Sequence, residues 1–153
     1  MTFEQFAMAR LPSLLRFAVV LTGDRDLAQD IVQDVLARVH SRWRRISETE
    51  DLETYVRRMV LTEYLSWRRF WAVRRLRAAG GGAPGGLWQS LSGLGRKQRA
   101  VLVLRYYEEL DDDQIADRLG ASRATVRTLA SRALKTLRLE PELVASIPAE
   151  EKS

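Results

Sequence analysis

Apolar residues along this chain recur every three or four positions, and no stretch shows the alternation of a half-buried strand. The pattern predicts helices throughout. Thr2 followed by Gln5 reads as a capping box. Phe3, Phe6, Leu11, Leu14, Leu15, Ala18 and Leu21 carry the first apolar face to a stop at Gly23, so a helix is predicted over about 3–22, bent near Pro12. Asp24 or Asp26 opens a second helix, buried through Leu27, Ala28, Ile31, Val32, Val35, Leu36 and Val39. RRISETE at about 44–50 reads as a loop. Asp51 can then cap a long third helix with apolar positions at Leu52, Tyr55, Val56, Met59, Val60, Trp67 and Phe70.

A run of glycines and a proline at 80–86 is the one low-complexity stretch, and it reads as a flexible linker. Beyond it the pattern predicts short helices at about 87–92 and 95–109. A second capping box follows, Asp111 with Gln114. The sequence DDQIADRLGASRATVRTLASRALK at 112–135 has the spacing of a helix-turn-helix. Ile115, Ala116 and Leu119 face inward on its first helix. Gly120 can take the positive φ that ends it, and Ser122 can cap the second. Val126, Leu129, Ala130, Ala133, Leu134 and Leu137 bury that second helix. The predicted fold is all-α: two small helical domains, three helices in residues 1–78 and four in 87–140. A Gly-rich linker at 79–86 joins them, and 141–153 is a short tail.

The outer side of the last helix changes the picture from fold to partner. Arg123, Arg127, Thr128, Ser131, Arg132 and Lys135 are left outside, and no carboxylate occurs from Gly120 to Arg138. That suits a recognition helix in a major groove, and it also suits a helical hairpin with a solvated basic face. The net charge of +5 favours a polyanion. Lys97, Lys135 and Lys152 are the only lysines among 25 basic residues. So much arginine fits bidentate contacts, or equally a GC-rich genome.

On the second helix Asp30, Gln33, Asp34 and Arg38 fall on one stripe. Acid there would repel phosphate, so the stripe reads as a surface for a protein partner, or as a solvated face with an Asp34–Arg38 pair. In the third helix Tyr64, Trp67, Phe70 and Trp71 interleave with Arg68, Arg69, Arg74, Arg75 and Arg77. Aromatics among arginines suit unpaired bases and their phosphates, or the aromatics are core. At least two of the four aromatics are expected to be buried.

Several chemistries are excluded. The chain has no cysteine, hence no disulfide, thiolate zinc site or thiol nucleophile. His40 is the only histidine, has no second ligand at helical spacing, and reads as an ordinary surface residue. No cofactor or metal is expected, and nothing marks an enzyme. No apolar run approaches 18 residues and the N-terminus has no signal-peptide pattern, so a cytoplasmic protein without membrane insertion is expected.

Two separated features then agree with one family. The chain resembles the extracytoplasmic-function sigma factors of bacterial RNA polymerase (group IV). DIVQDVLARV at 30–39 is similar to region 2.2, YVRRMVLTEYLSWRRFW at 55–71 to regions 2.3 and 2.4, and 87–134 to region 4. QRAVLVLRYYE and SWRRFW are similar to the SigE-like subgroup. The chain departs from the family at Thr62, where Asn is frequent, at Leu129, where a polar residue is frequent, and in a shorter, less acidic linker.

The resemblance implies a transcription initiation factor with no catalysis of its own. It would bind core polymerase through the β′ clamp helices and the β flap, capture the melted −10 strand and read the −35 duplex. An anti-sigma factor is a further partner of such proteins. By position, Asp30, Gln33, Asp34 and Arg38 would hold core polymerase. Arg44, Arg45, Ser47 and Glu48 would lie in the loop that pockets a flipped −10 base. Tyr55, Arg58, Met59, Thr62, Glu63, Ser66, Arg68 and Arg69 would line the rest of that strand's path. Ser122, Arg123, Thr125, Arg127, Thr128, Ser131 and Arg132 would meet the −35 duplex. The competing reading from the residues is a stand-alone helix-turn-helix regulator, which gives the Asp30–Arg38 stripe no task. Eight free residues at 79–86 span at most about 26–29 Å, so the segment 72–79 is expected to be helical in the free protein and to unwind on the polymerase.

Overall fold

The computed structural model describes residues 1–66 and 94–137. The chain divides into two compact units, Met1–Pro84 and Gly85–Ser153. The described residues of the first form α1 (Phe3–Thr22), α2 (Arg25–Ser41), a short α3 (Trp43–Ile46) and α4 (Leu52–Ser66). Those of the second form α5 (Arg96–Leu102), which continues as a π-helical turn over Val103–Tyr107, then α6 (Asp112–Leu119) and α7 (Arg123–Leu137). The described residues contain no strand.

Local chemistry sets the helix ends. At α1 the Gln5 N–H donates to the Thr2 hydroxyl at 3.1 Å and the Thr2 N–H to Gln5 Oε1 at 2.9 Å, a complete capping box. Gly23 ends α1 at φ 70°, where a side chain would crowd the following carbonyl. Pro12 lies inside the helix, which continues through it. The Thr22 hydroxyl and Asp24 backbone close the turn, and Asp24 caps α2 by accepting from the N–H groups of Asp26 and Leu27. Asp51 does the same for α4 through the Thr54 N–H at 3.2 Å.

In the first unit α1, α2 and α4 pack against one another pairwise. Their core is Phe6, Leu14, Phe17 and Leu21 from α1, Ile31, Val35 and Val39 from α2, and Val56, Val60 and Tyr64 from α4. Arg57 ties α4 to α1: it pairs with Glu53 at 3.4 Å, donates to the Ser13 hydroxyl, and lies 5.1 Å from the Phe17 ring centre.

Three expectations change here. Leu11 is exposed, because at 100° per residue the stripe centred between Leu14, Phe17 and Leu21 leaves it at the edge. Tyr55 and Met59 are not core: Tyr55 is exposed and Met59 half-buried, while Val56, Val60, Leu61 and Tyr64 make the inner side of α4. The segment 44–50 begins as a helical turn rather than a loop. Ile46 is buried, and the half-buried Trp43 meets the rings of Phe3 and Phe6, both at 5.8 Å. Those contacts make it worthwhile for Ile46 and Ser47 to donate back to the carbonyls of Arg42 and Trp43.

In the second unit α5 and α6 both pack on α7. All of Ala100, Val101, Leu102, Val103 and Leu104 are buried, as is Tyr107. A continuous buried run does not fit one stripe of a regular helix, and here the winding widens into the π turn, with Glu108 donating back five residues to Val103 at 3.0 Å. The predicted helix over 95–109 is thus an α-helix that ends in a π turn. Glu109 at φ 59° then reverses the chain into α6. The Asp111–Gln114 capping box is present on α6, and Gly120 ends it at φ 64°. On α7 Val126, Ala130 and Ala133 are buried, while Leu129, Leu134 and Leu137 are half-buried.

Several expectations lie outside the described residues: Trp67, Phe70 and Trp71 with Arg68 and Arg69, the helical segment 72–79, the linker 79–86, the helix at 87–92 and the tail 141–153. Of the four aromatics, at least two of which are expected to be buried, Tyr64 alone is described, and it is buried.

Candidate nucleic-acid and polymerase interfaces

On α2 the buried residues Ile31, Val32 and Val35 turn the opposite side outward, so Asp30, Gln33 and Asp34 are exposed. Arg38, one turn beyond Asp34 on the same stripe, is half-buried. It forms an ion pair across the bundle with Glu63 of α4 rather than with Asp34. That pair joins a residue expected to face polymerase to one expected to face DNA, and it links α2 to α4.

On α4, Tyr55, Arg58, Met59, Thr62, Glu63 and Ser66 follow one another at steps of one or three residues and share one side of the helix. Tyr55, Arg58, Thr62 and Ser66 are exposed, and the Ser66 hydroxyl donates to the Thr62 carbonyl at 2.8 Å. Arg44, Arg45, Ser47 and Glu48 are all exposed around α3. A shallow concavity of about 380 Å³ lies beside them, lined by His40, Ser41, Arg42, Trp43, Arg44 and Arg45. Its aromatic wall, Trp43, was not among the expected site residues. His40 is exposed with its ring 4.8 Å from that of Phe3.

In the second unit Gly120 ends α6 in the left-handed conformation, and α6, with Ile115 and Ala116 buried, packs on α7. Ser122 works as a cap: its hydroxyl accepts from the Thr125 N–H at 3.1 Å and donates to the Thr125 hydroxyl at 3.0 Å. Arg123, Arg127, Thr128, Ser131 and Arg132 are exposed on the outer side. Two of these arginines lean on acids from the start of α6. Arg123 Nε lies 3.1 Å from Asp113, and Arg127 Nε donates to Asp112 at 3.3 Å. Asp112 is also paired with Arg105 of the π turn. The Arg105 bond, reinforced by Arg127, holds the Asp112 carboxyl below the usual carboxylate range, so it stays ionised. Nothing in linear spacing marks Asp112 as part of this face, since Arg105 and Arg127 lie 7 and 15 residues away.

Among the described residues no group of His, Cys, Asp and Glu side chains is arranged to hold a metal ion, and no helix is long and apolar enough to cross a membrane. What remains is a helix-turn-helix with a basic outer face in one unit and a helical bundle with an exposed acidic stripe in the other, the charge pattern of a DNA-binding protein.

Comparison with known proteins defines the family. Residues 6–78 match sigma-70 region 2, and residues 86–137 match sigma-70, region 4. An RNA polymerase sigma-E factor of Streptomyces coelicolor is 34% identical over 94% of this chain and 86% of its own length. A protein of the same description from Streptomyces avermitilis is 32% identical over 92% and 85%. Among solved structures, the sigma factor RpoE of Bartonella quintana, in complex with the anti-sigma factor NepR, superposes with a TM-score of 0.66 at 22% identity, covering 95% of this chain and 98% of that one. The chain belongs to the RNA polymerase sigma factors of extracytoplasmic-function type, proteins that direct RNA polymerase to promoters.

Proposed function

We propose that the faces divide the work of initiation between them. The α2 stripe of Asp30, Gln33 and Asp34 docks on the β′ clamp helices of core polymerase, with the β flap taking the second unit. The exposed side of α4, with the α3 turn and its concavity, receives the melted −10 strand and one flipped base. The outer side of α7 enters the major groove of the −35 duplex. The chain itself catalyses nothing, and an anti-sigma factor is a fitting antagonist, as one is for the Bartonella relative. The observation that carries this reading is the contrast between two helices: α2 exposes Asp30 and Asp34 on one side, while α7 carries no acid and exposes Arg123, Arg127 and Arg132. Core polymerase and phosphate would each be repelled by the wrong face.

Because the chain has no cysteine, single cysteines carrying a photocrosslinker test the division directly. Gln33→Cys should crosslink to polymerase. Ser131→Cys should crosslink to upstream duplex, and Thr62→Cys to the non-template strand only once the promoter has melted. Crosslinks from Thr62→Cys to upstream duplex, or from Gln33→Cys to DNA alone, would overturn the assignment.

A further inference from the structure

The acids at the start of α6 stand beside the DNA-facing side of α7, where a carboxylate opposes phosphate binding. Their placement is specific. Asp112 is 22% exposed and is held by Arg105, itself 24% exposed, so it is a fixed group rather than a swinging one. Arg127 keeps 63% of its side chain exposed and is tied to Asp112 through Nε alone.

An arginine can meet a base with two parallel donors in two ways, by Nε with one Nη or by Nη1 with Nη2. Engaging Nε removes the first and leaves the second. It also fixes the plane of a side chain that otherwise samples many rotamers. In the major groove guanine presents two neighbouring acceptors, O6 and N7, that match such a fork. Arg123 repeats the arrangement on Asp113, but both side chains of that pair are more than half exposed, so solvent loosens it.

We propose that Asp112 is a positioning residue for promoter choice: it fixes Arg127 through Nε so that the Nη1–Nη2 edge reads one guanine of the −35 duplex. Arg105 braces Asp112 from the π turn and keeps it out of the groove. The inference rests on the reading of α7 as the −35 helix. It requires that specificity and total affinity respond to Asp112 with opposite signs. Without the carboxylate Arg127 reaches bases and phosphates indiscriminately, and one negative charge near DNA is gone.

The test uses holoenzyme, core polymerase with the full chain, on templates in which each base pair of the upstream element is replaced in turn. Wild type should show a penalty of at least about 5-fold when the guanine facing Arg127 is replaced. Asp112→Asn, nearly isosteric and beside rather than at the Asp111 cap, should lose more than half of that penalty at that pair alone. Its binding to unrelated templates should be equal or tighter. Arg127→Ala should flatten the same position, and adding Asp112→Asn to it should change the preference at that position no further. The thermal midpoint of each variant checks folding, and Asp112→Ala, which likewise removes the carboxylate that accepts from Arg127 Nε, repeats the loss should Asp112→Asn not fold. A wild-type penalty retained in Asp112→Asn, an even weakening on all templates, or a loss at a pair that Arg127→Ala does not affect overturns the proposal. A wild-type holoenzyme with no preference anywhere in the upstream element instead overturns the −35 reading beneath it.

Discussion

Reversing the two acids of α2, Asp30→Lys with Asp34→Lys, should separate binding from folding. Both side chains are exposed, whereas their neighbours Ile31 and Val35 are 1% and 0% exposed, so the core is untouched. Neither acid caps the helix, a task that belongs to Asp24, and both lie beyond the first turn where the helix dipole acts. Arg38 loses nothing, since its partner is Glu63. A lysine at position 34 adds a like-charge pair with Arg38 one turn on, at about 0.2–0.5 kcal/mol. The total cost to the fold should stay below about 1 kcal/mol. At an interface the same change inverts two close charge pairs, each worth about 1.5 kcal/mol or more. Affinity for core polymerase should therefore fall by about 3 kcal/mol, on the order of 150-fold. Titrating fluorescein-labelled chain with core enzyme at physiological salt reads the affinity, and circular dichroism confirms the helices. An affinity within about 3-fold of wild type, in a folded variant, would leave the stripe as nothing more than solvated surface.

Other outcomes follow from the same contacts. Ser47→Gly with Glu48→Gly, sparing the buried Ile46, should leave core binding and duplex binding intact but lower the permanganate reactivity of thymines near −10. Gly120→Ala forces a side chain into φ 64° and should cost about 1–2 kcal/mol in chemical denaturation, whereas Gly95→Ala, at φ −64° with open space around it, should cost far less. Asp112 has a lowered carboxyl pKa in the folded protein, so its contribution to stability is present above the unfolded value near 3.9. It is lost as pH falls through the folded value. The gap in thermal midpoint between wild type and Asp112→Asn should accordingly be open at pH 7, begin to narrow only at about pH 4, and close at more acidic pH.

What sequence could show was whatever neighbouring residues decide. The caps at Thr2, Asp24, Asp51 and Asp111 and the stops at Gly23 and Gly120 each involve partners within a few positions, and all are found where the spacing placed them. The inner side of α7 and the outer placement of its arginines follow from one period. What sequence could not show depends on distant partners. Arg38 reads as a member of an acidic stripe until α4 brings Glu63 to it, 25 residues on. The turn at Trp43–Ile46 looks like loop because its helicity is set by Phe3 and Phe6 of another helix. Tyr55 looks like core on a helical wheel, but it is 40% exposed. The π turn at Val103–Tyr107 arises because buried positions there exceed what one regular stripe can hold, which periodicity registers only as a continuous apolar run.

The central claim is that one chain brings polymerase to promoters through separable faces. Run-off transcription by core polymerase on a randomised promoter library, with and without the chain, tests it most directly. The account predicts transcripts that depend on the chain and come from templates sharing two spaced elements. Arg127→Ala should alter the upstream element alone, and Asp30→Lys with Asp34→Lys should abolish output from all templates alike. Transcripts without a shared upstream element, or a charge-reversed α2 that changes which promoters are used while total output holds, would contradict it.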